Sequence, residues 1–499
     1  MAGMAVTKLG RMRSGALPTV RQIIATRTGE EMQLNNRYLN AQMGRIVRTV
    51  GFDRVWTGGE GAHLIDAEGH RYLDLFGGHG VFAIGRNHPE AIAAMEDVLA
   101  ARTANLPQLG VTLLNGVLAE QLLARAPGSV GAMVAANSGA EAVEGALKIA
   151  RAATGRPRVL YADNAFHGLT MGALSLNGNQ EFREGFGPLV PGCDAMPFGD
   201  LDALERELRH GDVAAFVLEP IQGKGVVLPP FGYLERVQSM CRAAGTLFVC
   251  DEVQTGIGRT GRLFALEHWG LEPDMICLSK ALSGGFVPIG AVLVSRAAFD
   301  RVFDRMKRAI RHSSTFAGND LAAAAALGTL RALDGEDLLA RGTRMGELLL
   351  ELTRPLVERY EIVHDVRGLG MMWGIELGPP QGNGRWSMWS AIERAQPGVF
   401  AQLVTVPLFH DHRIFCQVAG RRMNVIKALP ALVIEEQEIR RFAAALEEVI
   451  AGAEHASRAM VRLGWHTARR LSRERRNGHA RAPHGAVNGA YAEPQLKTY

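Results

Sequence analysis

From about residue 90 to 330 the chain alternates short apolar runs with helical stretches, and each run gives way at once to polar or glycine-rich residues. That alternation predicts βα units and a parallel sheet, because such runs are buried only when helices cover the sheet. The runs Val130–Ala136, Arg158–Ala162, Val213–Leu218, Thr246–Cys250 and Met275–Leu278 read as its strands. In open α/β sheets ligands sit outside the carboxyl ends of the strands, so the residues closing each run are the candidates for chemistry. Before this block, Ala62–Leu75 reads as a hairpin with a Glu-Gly turn. After it, Leu321–Tyr360 reads as helical, and Ile362–Leu377 and Asn424–Val433 as strands of a second domain built from both chain ends. The expected division is an N-terminal segment of the small domain (1–75), a large domain (76–330), a C-terminal small domain (331–455) and a basic extension (456–499).

With 499 residues, 47% of them hydrophobic and 21% charged, the chain exceeds one small core. The net charge of +4 is modest, and no nucleic-acid partner is expected. No apolar run reaches the roughly 18 residues that span a bilayer. Five scattered cysteines, with no CxxC pair, fit reduced thiols in a cytoplasmic protein rather than a disulfide framework or a metal site. The ends are different. The N-terminus carries Lys8, Arg11, Arg13, Arg21 and Arg27 before its first acid, Glu30, which fits a transit peptide or a basic N-terminal helix. Between Ser457 and Arg476 the apolar Met460, Leu463, Ala468 and Leu471 are flanked by Arg458, Arg462, Arg469, Arg473 and Arg476. Such a helix either contacts an anionic membrane surface peripherally or packs on the body of the protein.

Four segments carry candidate chemistry. In "NSGAEAVEGALKIAR" (137–151) a strand runs through Ser138, Gly139 and Ala140 into a helix, whose free N–H groups suit a phosphate or merely an N-cap. In "NAFHGLT" (164–170) Phe166 can lie against a ring, with close backbone approach at Gly168. In "LFVCDEVQTGIGRTG" (247–261) an apolar strand ends in Asp251-Glu252, and a buried carboxylate needs a cation or donor such as a pyridinium nitrogen. No ligand spacing for a metal accompanies it. In "PDMICLSKALSGGFVPIGA" (273–291) Lys280 follows a strand, where burial lowers an amine's pKa and frees it for Schiff-base chemistry. The alternative is a lysine snorkelling from the sheet end.

Taken in order, these segments resemble the class III (ornithine- and 4-aminobutyrate-type) aminotransferases of pyridoxal-phosphate fold type I, over roughly residues 50–450. "LEPIQG" (218–223), "LSKALSGG" (278–285) and "HSSTFAGN" (312–319) look like further blocks of that family. The resemblance implies an α/β fold with a large domain, a mainly parallel seven-stranded sheet between helices, and a small α+β domain. It implies pyridoxal 5′-phosphate held by Lys280, with Asp251 on the pyridine nitrogen, Val253 and Phe166 flanking the ring and Gln254 near its 3-hydroxyl. His167 and Glu219 join the cofactor-binding set, and Ser138, Gly139 and Ala140 bind the phosphate. Thr315 reaches that phosphate from the partner chain, in a homodimer with shared active sites.

Four candidate substrate positions depart from the family pattern. Leu169 stands where "FHGRT" has Arg, Lys427 in "VIKALPAL" replaces an Arg, Lys224 in "QGKGV" replaces a Glu, and His79 stands near the place of a Tyr. Losing the planar fork of Arg removes bidentate carboxylate geometry. Either Lys224 and Lys427 hold one carboxylate between them, or one or both face solvent. The expected activity is a two-half-reaction transamination. Its substrate is an ω-amine, aldehyde or lipid-like molecule, since "HRIFCQVAGRRMNVIKALPAL" (412–432) resembles putrescine-type and hopanoid-type aminotransferases. The alternatives are an acetylornithine- or ornithine-type enzyme using 2-oxoglutarate, a decarboxylase or aminomutase of the same fold, and, last, a non-catalytic scaffold.

Overall fold

The computed structural model describes residues 17–106, 111–378, 401–420 and 423–454. In chain order its strands are β1 (Trp56–Glu60), β2 (His63–Asp66), β3 (Arg71–Asp74), β4 (Ala132–Ala136), β5 (Arg158–Ala162), β6 (Cys193–Met196), β7 (Val213–Leu218) and β8 (Leu247–Asp251). They continue with β9 (Met275–Leu278), β10 (Gly290–Val294), β11 (Val363–Leu369), β12 (Met372–Leu377), β13 (Ile414–Phe415), β14 (Gln417–Val418) and β15 (Val425–Ala428).

A seven-stranded sheet in the order β4-β10-β9-β8-β7-β5-β6 forms the centre. Its inner strands pair in parallel, and β10 runs antiparallel to both β4 and β9. Every residue of β7, β9 and β10 is buried, the pattern of a sheet covered on both faces. The helix Gly139–Thr154 shows how the cover forms. Ser138 Oγ caps it by accepting from Glu141 N at 3.1 Å, and the left-handed Gly155 ends it. Its inner face buries Val143, Leu147 and Ile149, each contributing roughly 1.5–3 kcal/mol.

Two strands escape the sequence pattern. β6 is short and half solvent-facing, so it lacks an apolar run, and β10 rises directly out of the glycine-rich stretch after Lys280. The strand expected at 246–250 lies one residue on, so Asp251 ends the ladder opposite Cys277.

Two four-stranded sheets, β1-β2-β3-β13 and β11-β12-β15-β14, make up the smaller domain of the fold. The 62–75 hairpin forms as expected. Asp66 Oδ1 accepts from Glu68 N (3.1 Å) and His70 N (2.8 Å), while Gly69 supplies the left-handed residue. β3 then pairs in parallel with β13, joining chain from before and after the large sheet. Of Asn424–Val433 only Val425–Ala428 is strand. The 321–360 stretch divides into helices Asp320–Gly335, Leu338–Thr353 and Leu356–Arg359. Among the described residues no helix is long and apolar enough to cross a membrane. The basic 457–476 segment lies outside them.

Candidate active site

The carboxyl edge of the large sheet gathers the residues singled out by the strand ends. Asp251, last in β8, is buried; its Oδ1 accepts from Val253 N at 3.0 Å and its Oδ2 lies 2.7 Å from His167 Nδ1. Burial disfavours the His167 imidazolium, but the Asp251 bond and charge, with Glu219 beyond, raise its pKa overall. His167 Nε2 is buried with no partner among the described residues. Glu219 directly follows β7. Its Oε2 accepts from Phe166 N (3.1 Å) and its Oε1 from Gly223 N (2.9 Å), and desolvation raises its pKa.

Lys280 begins the turn after β9 with φ 36, a conformation that costs a non-glycine residue energy. Desolvation lowers the pKa of its amine against the opposing pull of Asp251 and Glu219. That balance leaves more free amine than an exposed lysine has, as imine chemistry requires.

The phosphate-type helix end stands beside them. A Cβ at Gly139 would come within 2.7 Å of Val253 Cγ1, and one at Gly168 within 2.7 Å of Ala140 Cβ. Only glycine permits both approaches, and they bring the Val253 and Phe166 loops onto Ser138–Ala140. These residues could hold a flat, anionic cofactor: Val253 and Phe166 against a ring, Asp251 at one end, free helix N–H groups at the other.

The expected substrate positions fall in two groups. Lys427, on β15, is buried and donates from Nζ to Gly223 O (2.8 Å) and Gln254 Oε1 (3.3 Å). Burial, with repulsion from Lys280, lowers its pKa to about 7. Gln254 Nε2 donates to His79 O at 3.0 Å, so Lys427, Gln254 and the His79 backbone form one chain of contacts. His79 takes φ 62 and packs edge-on against Phe76. Desolvation by the surrounding walls, then Lys427 and Lys280, disfavour its imidazolium.

Lys224 is also buried, but its Nζ sits 3.1 Å from Glu181 Oε1 and 4.3 Å from the centre of the Phe182 ring. Neither lysine therefore faces solvent, which corrects that alternative, and Lys224 already has a carboxylate. Leu169 is 55% exposed and stands apart. Thr315 is exposed within this chain, while the adjacent Ser314 Oγ accepts from Asn137 Nδ2 at 2.7 Å.

Sequence reasoning missed three residues. Glu181 and Phe182 lie in a four-residue helix with no periodicity to announce it. Arg259 sits in the quoted "GIGRTG" run, yet no spacing reveals that it is fully buried and donates to the carbonyls of Gly80, Met371 and Pro430.

Comparison with known proteins identifies the family of the chain. The aminotransferase class-III family model matches residues 47–450, so the chain belongs to that family. It is of fold type I, and pyridoxal phosphate is the family's cofactor. Over 446 residues the chain is 35% identical to the aminotransferase PigE of a Serratia species, covering 83% of this chain but only 52% of that protein. It thus spans about half the length of that relative. Over 324 residues it is 42% identical to the putrescine aminotransferase of Pectobacterium atrosepticum, covering 63% of this chain and 68% of that one. Its structure is similar to a pyridoxal-phosphate-bound amine transaminase from an uncultivated Pseudomonas species, with TM-score 0.70 and 30% identity over 80% of this chain and 95% of that one.

Proposed function

We propose that the protein transfers amino groups in two half-reactions, from an amine or amino-acid donor to an aldehyde or keto acceptor, with Lys280 as the residue that carries the cofactor and moves the proton. The observation that carries this reading is the desolvated Lys280 amine at the end of β9, beside the buried Asp251–His167 pair at the end of β8. Pyridoxal phosphate, when bound, supplies the electron sink for a carbanion at the amine-bearing carbon. Asp251, backed by His167, would hold a proton at the ring nitrogen. Phe166 and Val253 would flank the ring and Gln254 would lie toward its 3-hydroxyl, while Glu219 anchors the Phe166 and Gly223 backbones. Ser138, Gly139 and Ala140 present helix N–H groups to the phosphate. The Lys280 amine, kept uncharged by desolvation, would hold the cofactor and would serve as the base that takes a proton from the substrate carbon and as the acid that returns it.

For substrate we propose an ω-amine or lipid-like amine or aldehyde. Leu169 offers no cation for a distal carboxylate, and Lys427 is a point charge already bonded to two neutral oxygens. Relatives named for putrescine and for amines support an amine donor. The test is the absorption band of bound cofactor: a donor amine should bleach it without carbon dioxide release, and a keto acceptor should restore it. Carbon dioxide release would favour the decarboxylase alternative, and a strict demand for ornithine-type donors with 2-oxoglutarate the acetylornithine- or ornithine-type one.

A homodimer with Thr315 serving the partner's phosphate site belongs to the same proposal, supported by the exposure of Thr315 and of the apolar Leu113, Ile310 and Phe316. So do a cytoplasmic location and the division at residues 75, 330 and 455. The pairing of β3 with β13 supports that division.

A further inference from the structure

Lys224 is where this chain places an alkylammonium in contact with the walls of its own active site. Its neighbour Gly223 donates its N–H to Glu219 Oε1, and its carbonyl accepts from Lys427 Nζ. The ring under its Nζ, Phe182, meets Phe166 edge-on at 5.4 Å between centroids. The Lys224–Glu181–Phe182 group therefore adjoins both Phe166 and Lys427.

A lysine side chain is four methylenes ending in a primary ammonium. Here that ammonium has the two partners that recognise such a group: a carboxylate oxygen at 3.1 Å and an aromatic face at 4.3 Å. The same description fits the far end of a diamine whose near end is at the reacting centre. From these contacts we propose that Glu181 and Phe182 form a subsite for a primary ammonium, and that Lys224 fills it as a tethered competitor for the distal ammonium of a diamine donor. This deepens the amine-donor reading and rests on it.

Exchange of one ammonium for the other is feasible because the pair is not sealed. Lys224 itself is buried, with 11% of its side chain exposed, but the Glu181 side chain keeps 26% exposure, so solvent reaches the pair from the carboxylate side. While Lys224 stays, Glu181 is neutralised and a second ammonium gains little there. Once it is removed, Glu181 is an uncompensated carboxylate beside an aromatic ring, and donors with a charged far end gain over donors without one. Selectivity between diamines and monoamines is thus set at position 224.

The experiment compares putrescine with butylamine, which differ only in the second amine. The reading is the ratio of their single-turnover kcat/KM values in the wild type, Lys224→Met, Lys224→Arg and the Lys224→Met/Glu181→Gln double variant. Lys224→Met should raise the putrescine-to-butylamine ratio about tenfold, the combined worth of one partly screened ion pair and one cation–ring contact. Lys224→Arg should keep the wild-type ratio, and the double variant should return to it. An unchanged ratio in Lys224→Met, or a gain that survives Glu181→Gln, overturns the proposal. Calorimetric binding of the two amines to the same proteins reads the subsite without turnover. If no form turns over either amine, the amine-donor reading fails, while binding still decides the subsite: selective, Glu181-dependent binding of putrescine by Lys224→Met supports it, and equal binding of both amines overturns it.

Discussion

Replacing Arg259 with Met tests whether this buried cation acts on stability or on geometry. The guanidinium is fully buried and donates to the carbonyls of Met371 (3.3 Å), Gly80 (3.2 Å) and Pro430. Two of the bonds are long, so about 1.5 kcal/mol each, the low end for a charged donor, is a fair value, or roughly 4–5 kcal/mol in all. Against this stands the burial of the charge, which lowers the pKa from 12.5 to about 10, a cost of roughly 3 kcal/mol. The folded protein binds that proton more weakly than the unfolded chain, so the cost is present at every pH below about 10 and fades above it. Met removes both terms and leaves a net loss of about 1–2 kcal/mol. The effect on the site should be larger. The three carbonyls belong to the residue after His79, to the turn between β11 and β12, and to the strap three residues beyond Lys427. Arg259 thus locates Lys427 and His79 relative to the Asp251–Gln254 loop. Misplacement of substrate groups by a fraction of an ångström costs roughly 10–100-fold in kcat/KM. Urea unfolding followed by tryptophan fluorescence gives the first quantity, and steady-state kinetics with an amine donor the second. Arg259→Lys should recover part of the activity. A variant with kcat/KM within twofold of wild type would refute the positioning role, and a stability loss well above about 5 kcal/mol would refute the offset by burial.

Lys280→Ala should abolish turnover and leave no borohydride-fixable link between protein and cofactor; a retained link would remove Lys280 from its role. Asp251→Asn should keep the fold but slow single turnover by orders of magnitude. It should also cost most stability at low pH, because the raised His167 pKa stabilises the fold below the unfolded histidine value near 6.5 and that contribution is lost as pH rises through the folded value. A stability gap independent of pH would count against the charged pair. Lys427 is an ammonium below about pH 7 and a neutral amine above it. The kcat/KM of an amino-acid donor should therefore fall relative to that of a simple amine as pH rises through this value, and the dependence should vanish in Lys427→Met. A flat ratio in the wild type would mean that Lys427 meets no carboxylate.

The reacting centre was more legible in the sequence than the substrate wall, and the reason is topological. A parallel strand is announced by its own apolar run, and its carboxyl end is where ligands bind in such sheets, so Asp251 and Lys280 were candidates from local pattern, while Glu219 came from the family resemblance. The one-residue shift of β8 did not disturb this, since Asp251 moved from beyond the ladder to its last position. β6 and β10 were missed because one is half exposed and the other emerges from a glycine-rich turn, yet neither carries a site residue. The proposed substrate wall is assembled from four separate places in the chain: His79, Glu181–Phe182, Gly223–Lys224 and Lys427. Family comparison drew attention to Lys224 and Lys427 as cations out of pattern, but two cations in a sequence do not reveal their counter-charges. Only the fold shows that Lys224 meets Glu181, forty-three positions away, while Lys427 meets oxygens of Gly223 and Gln254 and, among the described residues, no carboxylate within hydrogen-bonding distance. The two lysines therefore differ in what they leave available. Lys224 is neutralised in place and governs whether Glu181 is free for a second ammonium. Lys427 has no carboxylate partner among the described residues, and burial has tuned its charge close to neutral pH, so the pH dependence of its charge is where a preference for a carboxylate-bearing substrate would be read.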